Sequence, residues 1–135
     1  MSATHWNLLR NYQSHDFVTR LYQTHNGRIP GAQTAKEITS CFVQAEEYFR
    51  NAASAANSVK PLLLYYGVLS FAKGVVLFLN PIKREATMKA SHGVETLNWK
   101  ETFANGISSV MALQIRITDG TFTELYKANK TSDTI

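Results

Sequence analysis

Apolar residues recur at helical spacing along two neighbouring stretches in the middle of the chain. In the first stretch they lie three or four positions apart, at Ile38, Cys41, Phe42, Ala45, Phe49, Ala52, Ala53 and Ala56. Such spacing is typical of a helix with one buried face. The sequence Thr34-Ala35-Lys36-Glu37 resembles a capping box at the start of this helix, and Asn57-Ser58 ends the pattern. We therefore predict an amphipathic helix over residues 34–57.

The second stretch, PLLLYYGVLSFAKGVVLFLN at residues 61–80, is apolar on almost every side. Ser58 can cap it, and Pro61 is tolerated in its first turn, where a missing amide has no partner to lose. Asn80-Pro81 ends it, so we predict a helix over residues 59–79. Because a charge such as Lys73 would cost about 2.5 kcal/mol or more at membrane depth, we interpret this segment as a buried core helix and expect no membrane partner.

The short connection between the two long helices predicts an antiparallel helical hairpin over residues 34–79. The alanines of the first helix, together with Gly67 and Gly74 of the second, would let the two backbones approach closely. This hairpin is the predicted centre of the fold.

The segments on either side of the hairpin are shorter or less regular. Residues 1–30 predict two short helices, the second capped by Ser14. Residues 80–106 are polar without a sustained period and predict a loop. In residues 107–127, SVMALQIRI and FTELY flank the turn sequence TDGT, which predicts a β-hairpin. The predicted fold class is mainly α, as a single domain over residues 1–135.

The composition indicates the class of protein, its expected location and the ligands it can bind. A length of 135 residues suits one domain, and a hydrophobic content of 44% is that of a folded protein. One cysteine excludes a disulfide framework, so a cytoplasmic location is expected. The sequence shows neither a metal-ligand cluster nor a phosphate-binding glycine loop, and we expect no metal and no cofactor. A net charge of +4 permits contact with nucleic acid, although the basic residues are scattered.

Four segments, in this order and over nearly the whole chain, resemble the YaaC-like family of bacterial proteins. They are CFVQAEEYFRNA, KPLLLYYGVLSFAKG, the pair His92-Gly93, and GTFTEL. The positions that match the family pattern are Lys60, Pro61, Tyr65, Tyr66, Lys73 and His92. Family members continue beyond such a segment, so the chain resembles an N-terminal portion or a shortened relative.

The long hairpin of this family is similar in outline to the HEPN superfamily, which includes ribonucleases and nucleotide-binding proteins of toxin and phage-defence systems. HEPN ribonucleases pair an Arg with a His a few residues later, because one group stabilises an anion while the other moves a proton. Arg10 with His15 fits that spacing, and Arg20 with His25 fits it loosely. Both pairs precede the hairpin, so a solvated helix face is the alternative interpretation.

The predicted loop contains a second candidate pair, Arg84 and His92. Their spacing lies outside the HEPN pattern, yet a histidine beside a glycine in a loop is often functional. The alternative is a histidine that makes an ordinary backbone hydrogen bond.

Lys73 is the most informative polar residue of the second long helix. Tyr66, Ser70 and Lys73 form one narrow polar stripe on an otherwise apolar helix. A buried ammonium needs a partner, and Gln44, Glu46 and Glu47 are predicted at about its level across the hairpin. A structural ion pair, a site for an anion or nucleotide, and a lysine reaching solvent all remain open. The candidate ligand-binding residues are Lys60, Tyr66 and Lys73.

Three classes of function follow from these observations. The first is a helical module of a bacterial system, with toxin or phage-defence context implied by the resemblance, that acts by self-association or by binding protein or nucleic acid such as RNA. The second is a metal-independent ribonuclease that uses Arg10, His15, Arg84 and His92. The third is a purely structural subunit.

Overall fold

The computed structural model describes residues 3–132 and is mainly helical. Its α-helices are α1 (Ala3–Arg10), α2 (His15–Asn26), α3 (Ala32–Ser54), α4 (Lys60–Leu79), α5 (Trp99–Ala104) and α6 (Thr121–Ser132). Its strands are β1 (Val94–Thr96) and β2 (Ile115–Ile117), and shorter 3₁₀ turns cover Asn11–Gln13, Glu85–Thr87 and Ile107–Ala112. The predicted fold class is confirmed, including the two short N-terminal helices and a two-stranded antiparallel sheet near the C-terminus.

Helices α3 and α4 form the antiparallel hairpin that the sequence predicts. Gly67 of α4 faces the ring of Phe49, and Gly74 faces Phe42 and Cys41. The later glycine of α4 thus contacts the earlier residues of α3, so the two helices run antiparallel. A Cβ at either glycine would lie 3.0 Å from a ring carbon. The glycines therefore make room for two phenylalanine rings at the helix interface.

The start of α3 differs from the prediction. The helix begins at Ala32 with Gly31 at its N-cap, so Thr34 already lies inside the first turn, where it is buried. The side chain of Glu37 does not cap the helix but turns towards Arg84. The other ends match closely, since α3 stops at Ser54 and α4 starts at Lys60 with Pro61 in its first turn.

Helix α2 packs across the hairpin and completes the main core. Ser14 caps it by accepting a hydrogen bond of 3.4 Å from the amide of Phe17, as predicted. Val18 and Tyr22 are almost wholly buried against the hairpin. The members of this core cluster are Val18, Tyr22, Ile38, Cys41, Phe42, Leu77 and Phe78.

The C-terminal region forms a sheet with a different pairing from the predicted one. Strand β2 lies inside residues 107–127, but its partner is β1, in the segment predicted as a loop, with Val94 opposite Ile117. The sequence FTELY, predicted as the second strand, belongs to α6. The physical reason is burial: Thr121 and Ala128, seven positions apart, are 1% and 4% exposed. A strand could not keep both residues on one face.

Helix α4 is the one helix within residues 3–132 that is long and apolar enough to cross a membrane by length and composition. Its C-terminal half is covered by protein on one side, where Ala72, Val76 and Leu77 are buried. Its N-terminal half leaves several large apolar side chains exposed: Leu62, Leu64, Tyr66 and Val68. The predicted core helix is thus buried over only part of its length, and the absence of a membrane partner stays a prediction.

Replacement of the two interface glycines by alanine should affect stability differently, with a loss at Gly74 only. Alanine gains about 1 kcal/mol over glycine in a helix interior. At Gly74 the added carbon meets Cys41 Cβ at 3.1 Å and the buried ring of Phe42, and such overpacking costs about 1–3 kcal/mol. We expect Gly74→Ala to lower the free energy of unfolding by about 1 kcal/mol in urea denaturation.

At Gly67 the contacted ring is that of Phe49, which is half-buried beside an open groove of about 260 Å³. Because this ring can move, Gly67→Ala should leave stability unchanged or raise it by up to about 1 kcal/mol. Equal losses in the two variants would show that the ring of Phe42 is no more constrained than that of Phe49.

Candidate functional site

The predicted catalytic residue Arg10 is held in an ion pair with helix α3. Its Nε and Nη2 donate to Glu46 Oε1 at 2.8 and 2.6 Å. Gln13 donates to the other oxygen of Glu46 at 2.6 Å. His15 is the first residue of α2 and is exposed. Within residues 3–132 no described contact joins Arg10 to His15, so the geometry shows Arg10 as a tie between α1 and α3.

Arg20 and His25, the looser pair, are also not joined by a contact in the described part of the chain, residues 3–132. The ring of His25 stacks on Phe78, with 5.7 Å between centroids. Its imidazole thus covers the edge of the main core.

Arg84 forms a second tie to α3. Its Nη2 and Nε donate to the two oxygens of Glu37 at 3.0 and 3.3 Å, and the amide of Glu85 donates to Glu37 Oε2 at 3.2 Å. Glu37 thus holds the segment after α4 against the hairpin. Arg84 and His92 make no described contact with each other in the part of the chain that the structure covers.

His92 lies against α4 and makes a local backbone hydrogen bond. Its Nδ1 accepts from the amide of Val94 at 3.1 Å, which places the proton of a neutral ring on Nε2. Its ring packs edge-on against Tyr65, with 5.8 Å between centroids. This is the ordinary role foreseen as the alternative, and it connects His92 with the aromatic side of α4.

The two ion pairs lower the pKa of both carboxyl groups. Hydrogen bonds from Arg84 hold the pKa of Glu37 below its ordinary value, against an opposing effect of burial. Arg10 does the same to the pKa of Glu46. Both carboxylates are therefore ionised at neutral pH and serve as anchors for arginine, since neither is poised to exchange protons near pH 7.

Lys73 is half-buried and lacks the predicted partner. Among residues 3–132 its ammonium makes no described ion pair with Glu46 or Glu47 and no hydrogen bond with Gln44, and Glu46 is occupied by Arg10. The charge of Lys73 acts on the thiol of Cys41. Burial raises the pKa of Cys41 to about 12, and the positive charge of Lys73 acts to lower it. The Cys41 thiol is thus protonated at neutral pH and is not a reactive nucleophile.

A row of aromatic rings connects Tyr66 with His92. Tyr48 of α3 stacks on Tyr66 with 5.6 Å between centroids, and Tyr66 meets the edge of Tyr65 at 5.3 Å. Tyr65 then meets His92, and burial raises the pKa of Tyr65. Two predicted site residues, Tyr66 and His92, are therefore brought together through a third ring.

Tyr48 was missed by the sequence reasoning, although counting across the hairpin places it within one turn of the level of Tyr66. Of the other candidate ligand-binding residues, Lys73 lies seven positions after Tyr66 and on the same side of α4. Lys60 is the first residue of α4 and is half-buried. Within residues 3–132, His, Cys, Asp and Glu form no group of three that could hold a metal ion.

Another side of α4 carries an apolar seam, formed by Leu64, Val68, Phe71 and Val75. Leu64 and Val68 are exposed, while Phe71 and Val75 line a groove of about 220 Å³. The rest of that groove is lined by Leu9, Tyr12, Phe42, Phe78 and Leu79. Successive seam residues are four, three and four positions apart. Sequence reasoning missed the seam because α4 is apolar on nearly every side, which hides the face that lacks a partner.

The fold is that of a mainly α-helical protein organised around one long antiparallel hairpin. Arg10 and Arg84 join other segments to α3, and the apolar seam of α4 is exposed at Leu64 and Val68. A family model described as YaaC-like Protein matches residues 7–133, and the chain belongs to this family. No curated protein and no solved structure matches the chain. The likeness to HEPN proteins stays a prediction.

Acid should weaken the tie between α3 and the segment after α4. In the folded protein the pKa of Glu37 is lowered from 4.5. Its contribution to the free energy of unfolding is therefore fully present above about pH 4.5, and it is lost as the pH falls through the pKa of the folded protein. We expect Glu37→Gln to flatten the acid side of a plot of unfolding free energy against pH. Glu47→Gln, an exposed change on the same helix, should keep the wild-type slope, and an equal slope in all three proteins would contradict the role of Glu37.

Proposed function

We propose that this protein is an association module of the YaaC-like family that pairs with a second copy of itself through the α4 seam. The observation that carries the proposal is the exposure of Leu64 and Val68 in line with the groove at Phe71 and Val75. An exposed run of large apolar side chains beside an apolar groove is typical of an interaction surface.

The spacing of the seam suits a helix as its partner. Residues four, three and four positions apart form the stripe by which helices pack side by side in coiled coils and bundles. Helix α4 has 20 residues and is therefore about 30 Å long. The seam on it runs from Leu64 to Val75 and is about 16 Å long. A second copy carries the same surface, and a two-fold axis would bring the two together.

Charge favours an antiparallel pair of α4 helices. Lys60 lies one turn before Leu64, at the positive N-terminal end of α4. A parallel pair would bring two Lys60 side chains together. An antiparallel pair with its axis between Val68 and Phe71 places each Lys60 near Leu79 of the other copy, where the helix ends and its last carbonyls carry partial negative charge.

A second copy explains the exposed seam better than a lipid bilayer does. The seam continues into a groove whose far wall consists of Leu9 and Tyr12. One side of the C-terminal half of α4 is buried in the protein, at Ala72, Val76 and Leu77. Because protein covers one side of this half and walls the groove on the other, α4 has no continuous lipid-facing side for a span of about 30 Å.

A charge in the seam should prevent pairing. We expect the wild-type protein to show about twice the chain mass of 15.1 kDa by sedimentation equilibrium, and Val68→Glu to show the mass of one chain, because a carboxylate would be buried without a partner. The matched control is Leu62→Glu. Leu62 is about as exposed as Val68, at 54% against 46%, but it lies about 120° away around the helix and therefore outside the seam. A wild-type monomer at all concentrations, or a Val68→Glu dimer, would contradict the proposal.

Cysteine cross-linking should report the orientation of the pair. In an antiparallel arrangement Val68 lies near Val68 of the second copy. Leu64 instead faces Val75 of the second copy, and the two Leu64 residues lie about 16 Å apart along the helix axis. A disulfide needs Cα atoms within about 7 Å. We therefore expect Val68→Cys to form a cross-linked dimer under mild oxidation and Leu64→Cys not to do so. Efficient cross-linking of Leu64→Cys would instead indicate a parallel pair.

A further inference from the structure

A second apolar surface lies on the C-terminal sheet, away from the α4 seam. Val94 and Ile117 face each other across the strands, and Ile115 lies on the same face. The opposite face carries the ion pair of Glu95 with Arg116 at 3.1 Å. Ile117 is nonetheless 78% exposed. The sheet therefore has a charged side and, opposite it, an apolar side that is exposed at Ile115 and Ile117.

This apolar face forms one wall of a cleft of about 550 Å³. Val94 and Ile117 contribute the sheet wall, and Phe122, Tyr126 and Lys127 contribute the wall from α6. The volume is within the range of about 300–1,000 Å³ that small-molecule sites occupy. Apolar walls with few polar groups are also typical of such sites.

Gly93 lines the cleft, and its backbone passes close to that of Gly120. Gly93 has a φ of +88°, and a Cβ on Gly120 would lie 2.2 Å from the nitrogen of Gly93. Backbone hydrogen bonds fix this close approach, from Thr121 to Ser91 at 2.9 Å and from Phe122 to His92 at 3.0 Å. The sheet and α6 are thus held at a set separation before any ligand arrives, which limits the ordering cost of binding.

The α6 side of the cleft supplies positive charge. Lys127 lines the cleft, and Lys130 lies 4.9 Å from the ring centre of Tyr126. Lys127 is 4.0 Å from Asp119 and 3.8 Å from Glu124, in two long ion pairs, of which the one with Asp119 is exposed on both sides. Such pairs are weak, and Glu124 has a closer partner in Lys83 at 3.1 Å. Lys127 can therefore turn to an anionic group of a ligand without breaking a short ion pair to Asp119 or Glu124.

We propose that this cleft binds a small apolar molecule that carries a single negative charge, with its apolar body between the sheet and Phe122 and its anion at Lys127. The apolar walls provide the burial, and the lysine selects an anion over a neutral or cationic head group. Asp119 and Glu124, close to Lys127, disfavour a ligand with several negative charges. The site is independent of the α4 seam and of pairing between copies.

Two fluorescent probes that share one ring system separate the two parts of this proposal. Anilinonaphthalene sulfonate carries one negative charge, and phenylnaphthylamine has the same aromatic body without it. We expect Ile117→Gln to lower the affinity for both probes about fivefold, because each probe loses an apolar contact. We expect Lys127→Gln to lower the affinity for the sulfonate about fivefold and the affinity for the neutral probe less than twofold.

The control variant is Ile82→Gln, which alters an isoleucine that is 85% exposed outside the cleft and should leave both probes unchanged. Circular dichroism of each variant confirms that the fold is retained. If Ile117→Gln leaves both affinities unchanged, the probes do not occupy the cleft and the proposal is wrong. If Lys127→Gln weakens the two probes equally, the selection of an anion is wrong.

Discussion

The structure depends on the close approach of α3 and α4 at two glycines. Gly74 and Gly67 leave space for the rings of Phe42 and Phe49, so each ring of α3 fits directly against the backbone of α4. Phe42 in turn stacks on Tyr12 with 4.9 Å between centroids and meets Phe71 edge-on. The interface of the hairpin thus extends into the N-terminal helices, and the position of α2 follows from it.

Polar residues of α3 secure the remaining parts of the chain to this hairpin. Glu46 holds Arg10 at the end of α1, and Glu37 holds Arg84 after the end of α4. Both carboxylates are far less exposed than their arginines, so removal of an arginine would leave a poorly solvated charge. Arg10 and Arg84, which suggested catalysis from their spacing, have structural partners in Glu46 and Glu37, and the ribonuclease hypothesis stays a prediction.

Local signals were sufficient to predict much of this fold. The helical periods, the cap at Ser14 and the stop at Asn80-Pro81 act over a few residues, and the structure retains them. The strand pairing depends on partners about 20 residues apart, such as Val94 and Ile117, which no local pattern reports. FTELY has residues suited to a strand, but the burial of Thr121 and Ala128 favours a helix. Glu37 was assigned to a cap because its distant partner Arg84 could not be foreseen.

The candidate surfaces show the same division between local and distant information. Tyr66 and His92 could be selected individually, but their connection through Tyr65 requires the loop after α4 to fold back on that helix. The seam residues are visible in the sequence, whereas their exposure depends on where α1, α2 and α6 leave α4 uncovered. A uniformly apolar helix gives no sequence signal for the side that remains open.

A double-mutant cycle between Phe42 and Gly74 tests the central claim most directly. Urea denaturation would give the unfolding free energies of the wild type, Gly74→Ala, Phe42→Leu and the double variant. If the ring of Phe42 requires the missing side chain at position 74, the loss caused by Gly74→Ala should disappear when Phe42 is leucine, with a coupling energy of about 1 kcal/mol. Additive effects, with no coupling between the two positions, would contradict the account.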